Sequence, residues 1–147
     1  MRLDDTMAVA TERISPRTGE DDAGFSLSEC RAIATLPATD VERARRFYAE
    51  KLGLTATPGS APGTYLYQCG GATFALYETS ERASGSHHQM TFSVSDMETV
   101  VRQLTARGIV FTGDIAEDER TRTAWFKDSE GNLLSVREIL ACCSEWD

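Results

Sequence analysis

Leu36 to Leu54, LPATDVERARRFYAEKLGL, and Phe92 to Val110, FSVSDMETVVRQLTARGIV, are two versions of one pattern, and their repetition decides the fold. In each, a short apolar run meets an aspartate, Asp40 or Asp96, and apolar residues at helical spacing then lead to a glycine, Gly53 or Gly108. An aspartate before such a run can accept from the orphan N–H groups of the first helical turn, while Glu42 and Glu98 complement the dipole there. A glycine after it suits the left-handed position that ends a helix. Val41, Ala44, Phe47, Tyr48 and Leu52 form the apolar stripe of the first expected helix, and Met97, Val100, Val101 and Leu104 that of the second. Each stripe needs a sheet to cover.

Working outward, Arg31 to Pro37 reads as the strand that feeds the first helix, and Leu54 to Thr57 as a short second strand. Thr64 to Gln68 and Ala72 to Glu78 read as a hairpin turning at Gly70-Gly71. The first module, residues 31–78, is therefore βαβββ. His88 to Val94, a helix from Asp96 to Arg107, a strand over Ile109 to Thr112 and a closing hairpin of Thr121 to Phe126 with Leu133 to Glu138 repeat that order over residues 87–138. Gly113 to Arg120 is acidic and reads as irregular. The small and polar residues Thr79 to Ser86 join the modules, and permit their pairing within one chain or exchange across a dimer. The expected class is α+β, one domain over residues 30–139, with an acidic N-terminal extension (1–29) in which Phe25 and Leu27 could dock and a short C-terminal tail (140–147).

The chain has 147 residues and a formal charge of −8, with a pI near 4.8. Nucleic acids and anionic membranes are recognised through clustered basic surface, so neither is an expected partner; a small molecule is. No apolar run approaches the roughly 18 residues of a membrane span and no secretory signal is visible, so a cytoplasmic location is expected. Cys30, Cys69, Cys142 and Cys143 lack C-x-x-C spacing and read as reduced thiols. There is no G-x-S-x-G elbow, phosphate-binding glycine loop or dinucleotide fingerprint.

TDVERARRFYAEKLGL, SDMETVVRQLTARGI and AWFKDSEGNLLSV together resemble the vicinal oxygen chelate superfamily, which includes glyoxalase I, extradiol dioxygenases and bleomycin-resistance proteins. The resemblance covers residues 31–139. It implies two βαβββ modules whose curved sheets enclose a cup-shaped ligand cavity, usually in a homodimer. It also implies four symmetric positions at which metal-using members place His, Gln or Glu. Seven residues before each capping aspartate these are Ile33 and Gln89; four after the hairpin glycines Gly71 and Gly131 they are Ala75 and Ser135. Only Gln89 among them resembles a ligand, and a divalent ion needs several converging oxygen or nitrogen donors. No metal or other cofactor is therefore expected.

Alternate strand residues face opposite sides, so Ala34, Leu36, Phe74, Leu76, Met90, Phe92, Val94, Leu134 and Val136 should cover the helices. Ile33, Thr35, Thr73, Ala75, Tyr77, Gln89, Thr91, Ser93, Leu133, Ser135 and Arg137 should line the cup, a mixture of apolar and hydroxyl surface suited to an organic ligand. Aligning the repeats sets Tyr65 against Trp125 and Tyr67 against Lys127, which would offer aromatic surface from both modules. Arg137 could meet an anionic ligand group or pair with Glu78 or Glu138. His88 would reach the cup only if the fifth strand slipped by one residue, which would turn Met90, Phe92 and Val94 away from the helix; short of that it sits at the strand mouth as a possible ligand contact or general base. The function these residues imply is metal-independent binding of a small, aromatic molecule, as in drug or metabolite sequestration. The alternative is a glyoxalase-, isomerase- or dioxygenase-like enzyme with an atypical metal site or none.

Overall fold

Both helices begin and end where the aspartates and glycines require. In a computed structural model that describes residues 24, 26–59 and 61–140, α1 spans Val41–Glu50 and α2 Met97–Ala106. The Asp40 carboxylate accepts from Arg43 N (3.0 Å), and that of Asp96 from Thr99 N (3.2 Å) and Thr99 Oγ1 (2.7 Å). Past the helix ends, Gly53 (φ 73°) and Gly108 (φ 100°) hold the left-handed backbone that costs other residues dearly. The two C-termini meet: Lys51 Nζ donates to Arg107 O (2.9 Å) and Arg107 Nη1 to Lys51 O (3.3 Å), placing cations where the dipoles favour them.

Among the described residues, eight strands form two four-stranded sheets of the same topology. β1 (Ala34–Ala38), β2 (Thr57–Pro58), β3 (Thr64–Cys69) and β4 (Ala72–Glu78) run in the order β1-β4-β3-β2. β5 (His88–Val94), β6 (Ala116–Glu117), β7 (Thr121–Lys127) and β8 (Leu133–Ile139) run in the order β5-β8-β7-β6. In each sheet the first strand lies parallel to the last and the remaining pairs are antiparallel, which confirms the doubled βαβββ plan and the α+β class.

The largest departures from expectation fall at three strands. β1 begins at Ala34 rather than Arg31, where its ladder with Phe74 begins. β2 is two residues long, pairing Thr57 with Leu66 and Pro58 with Tyr65. The sixth strand is Ala116–Glu117, within the stretch that reads as irregular, and Ile109 to Thr112 keeps a single bridge, Phe111 to Phe126. Asp118 accounts for that shift: its Oδ1 accepts from Arg120 N (2.7 Å) and Thr121 N (2.8 Å), closing a tight turn that sets Ala116 against Thr123. Residues 1–23, Phe25, Cys142 and Cys143 lie outside the described residues, and Leu27 is exposed in a 3-10 turn, Leu27–Glu29.

The helix-facing sides of both sheets share one core, with Leu36, Tyr48, Phe74 and Leu76 from the first module and Met97, Leu104, Phe126 and Leu134 from the second. Joining the modules is the turn at residues 128–132. Tyr48 Oη donates to Asp128 Oδ2 (2.7 Å), and Asn132 Nδ2 to Pro37 O (3.0 Å). Glu130, 1% exposed, accepts from Thr39 N (3.0 Å), Asp40 N (3.1 Å) and Arg43 Nε (2.8 Å). Arg43 and Tyr48 of α1 and the DSEGN turn, far apart in sequence, are thus two halves of one contact. A buried carboxylate is tolerated because donors surround it.

Candidate functional site

Opposite the helices, each sheet presents a face whose make-up follows from strand pairing, since residues directly across a ladder share a side. In the first sheet Thr35 is level with Ala75 and Ala75 with Leu66; Thr73 is level with Gln68 and Tyr77 with Thr64. Arg31 reaches this face and donates through Nη2 to Thr73 Oγ1. In the second sheet Thr91 is level with Ser135 and Ser135 with Trp125, and Ser93 with Arg137 and Arg137 with Thr123. Arg137 Nε donates to Thr123 Oγ1 (3.4 Å). Each half of the cup therefore carries an arginine held by a threonine.

A bulge makes the second half more polar than the sequence pattern indicates. His88 pairs with Leu133 and Met90 with Leu134, so Gln89 is the extra residue between them. Met90, Phe92 and Val94 keep the helix side, packed against the core, while His88 takes the position expected for Gln89. Side chains alternate regularly from Met90 onward and break step one residue earlier, because a bulge changes side-chain parity without moving the rest of the strand. His88 Nε2 lies 2.8 Å from Ser135 Oγ, 3.0 Å from Thr91 Oγ1 and 3.1 Å from Met90 O, and Ser135 Oγ donates to Thr91 Oγ1 (3.1 Å). The Met90 carbonyl can only accept, so that contact is a hydrogen bond in the tautomer that carries a proton on Nε2, and the Ser135 and Thr91 hydroxyls complete the cluster. Ser135 is fully buried beneath it, whereas His88 is exposed and Trp125 and Thr91 half-buried.

Tyr65 and Tyr67 belong to the other face, which corrects their expected place in the cup. Tyr65 pairs with Leu76 and Tyr67 with Phe74, both core residues. The Tyr67 ring, 1% exposed, stacks on Phe74 (5.0 Å between centroids, 11° between planes), and Arg45 lies over the Tyr65 ring at 4.2 Å. Leu66, pairing with Ala75, is the true counterpart of Trp125, pairing with Ser135, because the second hairpin is one residue longer between matched positions. Leu66 and Thr123 thus join the cup face: the ladder register identifies Leu66, and Thr123 lies two residues before Trp125 on the same strand. Ile33 lies before β1 and is 44% exposed, and Ala75 is buried in the first sheet. Glu138, one of the two acidic partners considered for Arg137, accepts from Met97 N (2.8 Å) and lies 3.9 Å from Arg122 Nη1.

At the four positions where the resemblance implies metal ligands, this chain offers Ile33, Ala75, Ser135 and, through the bulge, His88. One imidazole whose Nε2 already serves three neighbours, with two hydroxyls and no carboxylate, does not fit a divalent ion. Among the described residues no three His, Cys, Asp or Glu side chains cluster in a way that could hold a metal, and no helix is long and apolar enough to cross a membrane.

The family model described as the glyoxalase/bleomycin resistance protein/dioxygenase superfamily matches residues 32–136. Among solved structures, TnmS3, an antibiotic binding protein from Streptomyces sp. CB03234, is 22% identical with a TM-score of 0.64, the match covering 80% of this chain and 98% of that one. A glyoxalase/bleomycin resistance protein/dioxygenase from Nocardioides is 21% identical with a TM-score of 0.63, covering 97% and 98%. UcmS2 is 20% identical with a TM-score of 0.63, covering 73% and 96%. At these identities the likeness shows the fold alone. No curated protein matches the sequence.

Proposed function

The chain belongs to the glyoxalase/bleomycin resistance protein/dioxygenase superfamily, and from that premise we propose that it binds a small aromatic molecule in its cup without a metal, as a cytoplasmic homodimer that sequesters the ligand. The observation that carries this reading is the His88–Thr91–Ser135 cluster beside Trp125, standing where the resemblance implies metal ligands. An indole offers stacking surface, and a hydrogen-bonded imidazole can orient one polar group on a flat ligand. The similarity to a protein described as antibiotic binding supports the same class of function.

Thermal-shift screening of aromatic metabolites and drugs is the test, because a ligand of the native state raises the melting temperature by mass action. A hit whose effect falls on His88→Ala and Trp125→Ala, in protein free of stoichiometric metal by elemental analysis, supports the proposal. A stoichiometric divalent ion lost with His88→Ala would refute its metal-free part. Turnover is the second reading, favoured by the 2.8 Å contact of His88 with Ser135; chemical change of a hit by metal-free protein would establish it.

A further inference from the structure

We infer that the ligand of the cup is an anion, an aromatic carboxylate; this rests on the reading of the cup as a binding site and adds the charge of what it takes. The ground for it is a segregation of charge across the two sheets. Among the described residues the acidic side chains on strands are Glu78, Glu117 and Glu138, and the ladders turn all three away from the cup. Glu78 is level with Ala38 of the core. Glu117 and Glu138 are level with Arg122, which lies 3.3 Å from one carboxylate and 3.9 Å from the other, so that arginine is matched on its own side. On the cup side the ladders place Arg137, Lys127 and the His88 imidazole, and Arg31 reaches the same face through Thr73. A chain with a formal charge of −8 thus keeps every strand carboxylate off the cup and leaves basic groups on it.

A concave face lined by one sign of charge draws in ions of the other sign and repels its own. The order of the side chains selects the anion. Across the second sheet, the row that carries Trp125 lies between a row carrying Lys127 and His88 and a row carrying Arg137 and Ser93, each about 7 Å away, or two residues of strand. A ring stacked on the indole therefore has basic groups at both ends. Arg137 Nε donates to Thr123 Oγ1 (3.4 Å), which holds the guanidinium against this face. Its planar fork matches a carboxylate, and the His88 imidazole can bond a hydroxyl at the opposite end of the same flat molecule. A carboxylate of the protein also feels Arg137: Asp118, in the turn before β7, is held below the usual carboxylate range chiefly by the Arg120 and Thr121 N–H groups and in part by Arg137. Asp118 is exposed at the rim, where an ion pair is worth little, so a ligand carboxylate inside the cup competes with it successfully.

The probe is 6-hydroxy-2-naphthoate, compared with 6-hydroxy-2-naphthamide, which keeps the ring and shape without the charge, and with the corresponding 2-aminomethyl compound, a cation. Each is titrated into the full chain by calorimetry at low and at high salt. The acid is expected to bind at least about tenfold more tightly than the amide, the gain of one charged hydrogen-bonding partner, and the amine most weakly. High salt should narrow the gap between acid and amide, because it screens the basic groups. Arg137→Gln should bring the acid to the level of the amide and leave the amide unchanged, whereas Trp125→Ala should weaken both alike. If Arg137→Gln misfolds, Lys127→Gln at the exposed rim should still narrow the gap, and the salt response of the unaltered protein stands by itself. An amide that binds as tightly as the acid, an amine that binds more tightly, or a preference for the acid that survives Arg137→Gln would overturn the inference. Loss of both ligands on Trp125→Ala would then leave the cup a site for neutral aromatics. Silence toward all three probes, beside uncharged library hits that depend on Trp125, would overturn it equally, and silence toward every compound would take down the binding reading as well.

Discussion

The two hairpin turns at equivalent places in the repeat do opposite work. Gly70 and Gly71 close the first with nothing within 4 Å of a side chain placed on either, so that turn is a free tip. The second, Asp128 to Asn132, buries Asp128, Glu130 and Asn132 against the start of α1. Both solve the same local problem of reversing a strand. What separates them is that the longer turn carries polar groups numerous enough to satisfy one another: Asp128 Oδ1 takes Glu130 N (2.8 Å) and Asn132 N (2.9 Å), while its Oδ2 takes Tyr48 Oη and Asn132 Nδ2 (2.8 Å). A duplicated module can therefore keep its topology while one copy turns a surface loop into the fastener of the whole domain.

Breaking the fastener should have the largest effect. Glu130→Ala leaves Arg43 and the Thr39 and Asp40 N–H groups without their acceptor, and is expected to destabilise by about 3 kcal/mol in chemical denaturation, as for other buried charge partners. The same carboxylate sets an acid limit. Burial raises its pKa, but Arg43, the Asp40 N–H and the Ser129 hydroxyl outweigh burial and bring it from 4.5 to about 2. A depressed folded-state pKa gives stability that is full above the unfolded value and lost as pH falls through the folded one. Stability should thus decline between about pH 5 and pH 2, and Glu130→Gln should flatten that slope. An unchanged acid profile in Glu130→Gln would show that other carboxylates govern it.

Smaller effects sharpen the contrast. Tyr48→Phe removes one of four bonds to Asp128 and should cost about 1–2 kcal/mol. Gly71→Ala and Gly131→Ala impose the same backbone strain, both having φ 88°, but only Gly131 faces neighbours, Arg82 Nε at 3.3 Å and Ala83 O at 3.4 Å. Gly71→Ala should cost about 1 kcal/mol and Gly131→Ala measurably more; equal losses would mean the second turn is no more tightly packed than the first. The least change in stability, under about 1 kcal/mol, is expected from Ser135→Ala, which removes a neutral hydroxyl contact of His88. Its effect should appear instead in ligand affinity.

The cup itself divides as unevenly as the turns, with Thr35 and Ala75 at the centre of one sheet and His88, Thr91 and Ser135 at that of the other. That division was only half legible. Ser135, Thr91 and Trp125 follow from simple alternation within a ladder. His88 does not, because a bulge leaves no mark on hydrophobic periodicity. Tyr65 and Tyr67 were misplaced because repeats aligned on their glycines drift by one residue where the turns differ in length, and one residue in a strand is a change of face.

The sequence by itself determined the doubled βαβββ plan, the two helices and their caps, since those depend on interactions within a few residues of each other. Asp40 reaches Arg43 and Asp96 reaches Thr99 whatever the rest of the chain does. Only the tertiary structure decided that α1 and the DSEGN turn lock together, that Leu66 rather than Tyr65 answers Trp125, and that His88 stands over Ser135. These pairs are brought together by strand register and by module packing over separations such as 80 residues for Tyr48 and Asp128 and 47 for His88 and Ser135. Local pattern fixes which residues form an element and cannot fix which distant residue it will face.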